Sequence, residues 1–487
     1  MRTLLPLLLL AFLTPLRTFA ADPQHPNIVF ILADDLGYSD VSCFGSKYYE
    51  TPNIDHLAAG GMKFTSGYTC GPNCQPSRAA LMSGQYGPRT GIYTVGGIDR
   101  FEWETRPLRP VDNVTSLPLD KITMADTLKK AGYATAMFGK WHLGTDEAHF
   151  PSKRGFDEAI ESSGLHFDFK TKPETDYPKG EYLADFLTDH AVDFIERHKD
   201  QPFFLYLPHF GVHAPHQAKK DLIAHFKAKQ PVGNQKNPTY AAMIASVDES
   251  VGRIVDTLDK LGLTDHTLVI FSSDNGGVGG YEVAGLSRNG VTDNAPLKGG
   301  KGMLYEGGIR VPYVFSWKGK IAPGVTNDTP IMNIDFYPTF VELAHAEAPA
   351  NYPLDGVSLM PVLTGAKQTL GRDALEWHFP GYLGFGEGEW RTTPAAAIRS
   401  GDWKLIEFFE DGRLELYNLK DDIGEKHNLA TENPDKVKEL HEKMLTWRKG
   451  IGAKMPTKNT EQGPAKKLTK EEKQARRKAR KAAGDED

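Results

Sequence analysis

Several short segments of this 487-residue chain carry side chains that could act together on an anionic group. Asp34-Asp35, Lys140-Trp141-His142, His209 with His213, and Asp274-Asn275 each follow a short apolar run. Another, Cys74-Gln75-Pro76-Ser77-Arg78, places a thiol close to a guanidinium. Asp34, Asp35, Asp274 and Asn275 offer only oxygen donors, a set that suits a hard cation such as Ca2+ or Mg2+. Lysine, arginine and histidine side chains around such a cation suit a substrate on which negative charge develops. Each residue alone has a plainer use: an aspartate caps a helix, a lysine is solvated, a histidine fills a core. Their shared position after strand-like runs is harder to explain that way, because open α/β sheets bind ligands beyond the carboxyl ends of their strands.

The elements that must position them are visible in the apolar spacing. Asn27–Ala33 is a continuous apolar run, the mark of a strand buried on both faces. Thr51-Pro52 opens a helix that Gly60-Gly61 closes. A unit from Thr123 to Gly132 leads into the strand Tyr133–Phe138. Leu183, Phe186, Leu187, Ala191, Phe194 and Ile195 keep helical spacing through His198, and the strand Pro202–Leu207 follows. Met243, Ile244, Val247, Val251, Ile254 and Leu258 predict a long helix from Tyr240, followed by the strand Thr267–Phe271. A helix starting at Pro76 or Ser77 would turn its positive end toward Cys74. Repeated β-α units predict an α/β fold with a mostly parallel central sheet flanked by helices.

Near Leu370 the pattern changes. Ala397–Phe408 and Arg413–Leu419 read as antiparallel strands about the turn Glu410-Asp411-Gly412, and a helix over Asp435–Trp447 closes a smaller antiparallel α+β domain. The expected division is 21–370 for the large domain, 371–450 for the small one and 451–487 for a charged tail. From about Lys454 that tail is rich in lysine and arginine without an apolar face, which predicts a solvated segment; retention on acidic polysaccharide is a weaker reading of it.

Residues 1–20 combine Arg2, the apolar run Leu4–Leu13 and small residues at Ala20 and Ala21. That pattern predicts a signal peptide and export to a periplasm or the exterior. The run is too short, and too broken by Pro6 and Pro15, for a stable membrane anchor. A formal net charge of −6 provides no overall attraction to nucleic acid or an anionic membrane, so any anion site must be local. Cys43, Cys70 and Cys74 make neither a disulfide framework nor zinc-ligand spacing.

Cys74-Gln75-Pro76-Ser77-Arg78, followed by Ala79-Ala80-Leu81-Met82-Ser83-Gly84, resembles the C-x-P-S-R maturation signature of the type I sulfatases, the formylglycine-dependent branch of the alkaline phosphatase superfamily that includes arylsulfatase A and the N-acetylgalactosamine sulfatases. Gly299-Gly300-Lys301-Gly302 with Tyr305–Pro312 is a second similar run, and the resemblance spans roughly residues 25 to 450. It implies that a separate formylglycine-generating enzyme oxidises Cys74 to the aldehyde 3-oxoalanine. It implies Ca2+, with Mg2+ as the alternative, on Asp34, Asp35, Asp274 and Asn275; nothing resembles the mixed His/Asp zinc pair of alkaline phosphatases. It further implies that Arg78 supports the modified residue, that Lys140, Lys301 and His213 contact the sulfate, and that Asp274, His142 and either His213 or Lys301 move protons.

If Cys74 is converted, Cys43 and Cys70 remain as an even pair, either bridged or as two free thiols. Exported members commonly act on sulfated glycans, so a sulfated carbohydrate is the expected substrate. The expected pocket walls are Ile92–Asn113, Glu161–Tyr182, Gly277–Ala295 and the Trp377–Tyr382 segment. His378 is a candidate sugar contact, with inter-domain packing an equal alternative. The rival readings are a formylglycine-dependent phosphonate monoester or phosphodiester hydrolase, and an unmatured sulfated-glycan-binding protein.

Overall fold

Asn27–Ala33 forms the strand its apolar run predicts, buried along its whole length. Its side chains alternate between two cores. Val29, Ile31 and Ala33 meet the helices Pro52–Ala59, Leu183–His198 and Pro238–Lys260. Ile28, Phe30 and Leu32 meet Cys74–Ser83, Met124–Lys130 and Phe336–Leu343. A strand covered on both faces has no polar side to show, hence the unbroken apolar run. Each such Ile, Leu or Phe side chain contributes about 1.5–3 kcal/mol by leaving water. The computed structural model describes residues 25–286, 290–386 and 388–463, with Glu471 and Gln474. The expected signal peptide lies outside these.

The central sheet runs in the order Val325–Asn327, Met62–Phe64, Tyr313–Ser316, Thr267–Ser273, Asn27–Ala33, Phe203–Pro208, Ala134–Gly139, Glu158–Ser162, Thr171–Lys172. The strands from Thr267–Ser273 to Ala134–Gly139 are neighbours and all parallel. Their carboxyl ends therefore share one edge. Tyr313–Ser316 is antiparallel to both of its neighbours. A second, antiparallel sheet follows in the order Leu375–Phe379, Ala395–Ser400, Trp403–Phe408, Leu414–Asn418, with the helix Pro434–Ile451 against it.

Local signals account for the helix starts. The Asn237 side chain accepts from the N–H groups of Thr239 and Tyr240 ahead of the longest helix. Thr123 and Asp126 form a reciprocal capping box. Thr51 precedes its helix as expected, but its hydroxyl bonds Ser42 and Asp55 instead of capping.

Several expectations need correction. The helix at the C-x-P-S-R run begins at Cys74 itself, with Asn73 as N-cap, not at Pro76 or Ser77. Ala397–Phe408 is not one strand: Ala395–Ser400 and Trp403–Phe408 turn at Gly401-Asp402, where Gly401 takes φ +58°. The Trp377–Tyr382 segment begins inside the Leu375–Phe379 strand, with Trp377 buried and its Nε1 donating to the Thr69 carbonyl at 2.7 Å. Past residue 451 the chain does not leave the surface at once. Thr457–Lys458 pairs with Leu108–Arg109, and Asn459 Nδ2 donates to the carbonyls of Glu104 and Arg106. Backbone pairing needs no apolar face, so composition gave no hint of it. Cys43 and Cys70 are free thiols and do not bridge.

The two sheets are joined by a polar knot. Lys404 Nζ, fully buried, lies 2.9 Å from Glu306 Oε1 and 2.8 Å from Glu425 Oε1. Glu425 also accepts from the Glu306 backbone N–H at 2.7 Å, and Glu306 Oε2 accepts from Tyr68 Oη and Arg310 Nη1. Glu306 ends the glycine-rich segment that carries Lys301, and Tyr68 precedes the Cys74 helix, so this knot ties the second sheet to both.

Candidate active site

Four expected clusters sit where the parallel strands end: Asp34-Asp35 after Asn27–Ala33, Lys140 and His142 after Ala134–Gly139, His213 after Phe203–Pro208, and Asp274-Asn275 after Thr267–Ser273. Cys74 points its sulfur into them, 3.4 Å from Asp34 Oδ1 and 3.7 Å from Asp35 Oδ1. Asp34 Oδ2 accepts from Lys140 Nζ at 2.5 Å, and Asp35 Oδ2 accepts from Lys301 Nζ at 2.7 Å. Asn275 Nδ2 donates to Asp35 Oδ1 at 2.8 Å, and the Asp35 N–H donates to Asp274 Oδ1. Arg78 reaches Asp274 Oδ2 through Nε at 2.8 Å and the Lys140 carbonyl through Nη1. His213 Nε2 lies 3.7 Å from Asp35 Oδ2. Residues from six separate stretches of the chain, its own included, thus meet around one thiol.

The backbone is shaped to this end. Asp35 and His142 both hold left-handed conformations, φ +65° and +64°, uncommon for residues with a Cβ and concentrated at functional sites. Beside Lys301, a Cβ on Gly300 would lie 2.1 Å from the Gly279 carbonyl oxygen, so only glycine permits that approach. Asn294 fixes the same region: its Nδ2 donates to the carbonyls of Gly277, Gly279 and Gly299. Asn333 does so for the Cys74 helix, accepting from the Cys70 N–H and donating to Ser77. His166 Nε2 lies 2.8 Å from the His213 carbonyl. None of these three belongs to a motif, and a lone Asn or His in a loop carries no sequence signal.

Burial would raise Asp34 and Asp35, but Lys140 and Lys301 respectively prevail and hold both below the usual carboxylate range, Asp34 well below. Burial, then the charge on Asp34, pushes Asp274 up to about 7 against the pull of Arg78. Burial raises the Cys74 thiol well above its ordinary value, so the unmodified side chain is a poor nucleophile at neutral pH. Burial with Lys140 and Lys301 lowers His213 to about 4, and burial with Lys140 lowers His142 well below its usual value. Both imidazoles are neutral.

Buried polar atoms left without a hydrogen bond converge here: Arg78 Nη2, His142 Nδ1, His213 Nε2 and Asn275 Oδ1. Buried polar groups are rarely left so. The ligand-capable atoms of Asp34, Asp35, Cys74 and His213 lie within 4.8 Å of one another. Carboxylates joined by Asn275 with a spare amide oxygen fit a hard divalent cation, while the unsatisfied nitrogens fit the oxygens of an anion. The sulfatase family profile matches residues 26–346. The chain belongs to the sulfatase family.

The profile for the C-terminal part of N-sulphoglucosamine sulphohydrolase also matches, over residues 300–450. A sulfatase of Formosa agariphila is 36% identical, over 87% of this chain and 89% of its own length. The N-acetylgalactosamine-6-sulfatase of Rattus norvegicus is 35% identical, over 73% of this chain and 69% of its own length. The crystal structure of Ps i-CgsB superposes with a TM-score of 0.74 at 30% identity, covering 93% of this chain and 97% of that one, and the same protein is known in complex with k-i-k-neocarrahexaose. This sulfatase is accordingly a sulfuric ester hydrolase of alkaline phosphatase-like fold, and no helix among its described residues is long and apolar enough to cross a membrane.

Two histidines stand apart from the cluster. His378 Nε2 bonds the Lys454 carbonyl at 2.8 Å, and its ring packs between Tyr93 and Phe409, a position in the seam with the second sheet. His209 follows its strand as expected but turns into the helical layer, bonding Ser250 at 2.9 Å. Burial lowers His209 to about 3, so it stays neutral when folded. The unfolded chain takes up that proton below about 6.5, so the stability His209 supplies is complete above 6.5 and is lost as pH falls toward 3. His209→Asn should shallow the acid decline by up to about 1.4 kcal/mol per pH unit in that window, read from urea midpoints at successive pH values.

Proposed function

We propose that this sulfatase hydrolyses a sulfate monoester on a carbohydrate, with the hydrate of a formylglycine at position 74 as nucleophile. The observation that carries this reading is the burial of Cys74 among Asp34, Asp35, Lys140 and Lys301, where its thiol is unreactive yet centred on an anion-ready pocket. Relatives named for N-acetylgalactosamine 6-sulfate and the neocarrahexaose complex of Ps i-CgsB support the carbohydrate. Residues 21–370 would form the catalytic domain and 371–450 the smaller one, after export directed by residues 1–20 and maturation by a formylglycine-generating enzyme.

Asp34, Asp35, Asp274 and Asn275 would hold Ca2+, with Mg2+ the alternative, and the ion supplies fixed positive charge against the sulfate oxygens. The chain's own residues do the rest. Lys140, Lys301 and His213 bind the sulfate, and Arg78 orients Asp274 and the modified side chain. One hydroxyl of the diol attacks sulfur in line while Asp274 accepts its proton, and the bond from sulfur to the sugar oxygen breaks. Lys301, charged in the free site, is the ready donor of a proton to the departing alcohol, and His213 takes that role only once bound sulfate has led it to take up a proton. His142 then takes the proton of the second hydroxyl, the carbon–oxygen bond to sulfate breaks, and the aldehyde returns. The buried lysines are positioned before the reaction begins, which makes their charge effective as negative charge grows on the leaving oxygen.

Maturation is tested on the tryptic peptide Phe64–Arg78, with fragmentation separating Cys74 from Cys70. Aldehyde at position 74 in active protein is the expected result; full activity with an intact thiol would refute the nucleophile. Removing the cation with a chelator should lower turnover by on the order of 10²-fold or more and restore it with Ca2+. Restoration only by a transition metal would favour the phosphonate or phosphodiester hydrolase reading.

A further inference from the structure

A second place in the molecule is built for an anion. The buried knot between the sheets contains the cations Arg310, Arg399 and Lys404 and the carboxylates Glu306 and Glu425. Lys404 takes both carboxylates, and Arg310 shares Glu306. Arg399 faces Lys404 directly across adjacent antiparallel strands, a like-charge pairing that sheets avoid unless something compensates. Yet Arg399 forms no ion pair with any carboxylate among the described residues. Its Nε donates to the Gly401 carbonyl and its Nη1 to Tyr68 Oη, while Nη2 has no protein partner. The side chain is only 6% exposed. Arg399 reaches the Glu306 carboxylate only through the Tyr68 hydroxyl, which leaves Nη2 free to donate, the position in which an arginine takes up a bound oxyanion.

Arg399 lines a cleft of about 630 Å3 between the large sheet's edge and the second sheet, within the size range of small-molecule sites. Arg310, Ser66 and Thr329 are other buried lining residues, and Arg372, bonded to Asp335, lies beside them. Lys420 stands at the exposed rim. The acidic lining residues do not neutralise Arg399: Asp328 and Asp402 are exposed at the rim, where water screens them, and Asp373 is paired with Lys443. The cleft shares no lining residue with the Cys74 cluster.

We propose that this cleft is a second oxyanion site that binds a sulfate group against Arg399, as inorganic sulfate or as an ester on a glycan chain. It does not rest on the mechanism at Cys74, because the unpaired cation is present whatever happens there.

Crystals of the full chain soaked in selenate should show anomalous selenium at Arg399 Nη2 as well as in the catalytic pocket. Competition with inorganic sulfate, and separately with a sulfated disaccharide, identifies the source: displacement by inorganic sulfate alone assigns the site to the free ion, and displacement by the disaccharide at lower concentration than by sulfate assigns it to the glycan ester. In solution, equilibrium dialysis with labelled sulfate should count two sites per chain, and one in Arg399→Gln. Selenium confined to the catalytic pocket, or a cleft signal unchanged in Arg399→Gln, would overturn the proposal; the soak of the unaltered protein decides even if that variant fails to fold.

Discussion

Cys74→Ser is expected to release about one equivalent of alcohol per active site and then stop, with steady-state turnover down by on the order of 10⁴-fold or more. A serine hydroxyl at the head of the Cys74 helix can attack sulfur in the same place, since Asp34, Asp35, Lys140 and Lys301 surround position 74 regardless of its side chain. The difference lies in the second half of the reaction. A sulfated serine has no second hydroxyl for His142 to deprotonate, so the carbon–oxygen bond does not break and the enzyme stays sulfated. Rapid quench combined with intact-protein mass should show the burst and the trapped adduct, with fragmentation verifying that the serine is unmodified. Sustained turnover by an intact serine would refute the two-hydroxyl mechanism.

Lys404→Met is expected to lower stability by about 3–5 kcal/mol, a large share of what holds a protein folded. Lys404 is fully buried and is the shared partner of Glu306 and Glu425. Despite its burial, Lys404, Arg310 and Arg399 hold Glu306 down to about 2. Burial pushes Glu425 up to about 7 even with Lys404 in place. Removing the ammonium leaves two carboxylates together without water, and the repulsion falls on the segment that carries Lys301. Adding Glu425→Gln should recover part of the loss, because only Glu306 then needs a cation and Arg310 remains at 3.0 Å. Urea midpoints of the single and double variants measure this; a loss below about 1 kcal/mol would show that the knot does not hold the sheets together.

The strands beneath the site were legible because burial on both faces leaves unbroken apolar runs, and Asp34, Asp35, Lys140, His142, His213, Asp274 and Asn275 were legible because they sit one to six positions past those runs. Lys301 lies in no such place and came only from the resemblance of its glycine-rich run. Asn294, Asn333 and His166 were not legible: each stands outside any motif and acts by bonding backbone, 5 to 17 positions away for Asn294, 47 for His166 and His213, and 256 for Asn333 and Ser77. The hairpin at Gly401 carries its own turn signal, Ser400-Gly401-Asp402, which the β-forming runs on either side outweigh when the stretch is read as one strand. His378 beside Trp377 reads equally as a sugar contact or as inter-domain packing, because which side of a seam a histidine faces depends on packing that one segment does not record; the structure shows the packing position.

Sulfate release by matured enzyme, across a panel of sulfated mono- and oligosaccharides with an aryl sulfate and a phosphodiester alongside, tests the central claim most directly. Selective release from a sulfated sugar is the predicted result. Turnover of the phosphodiester alone, with every sulfated sugar untouched, would contradict it.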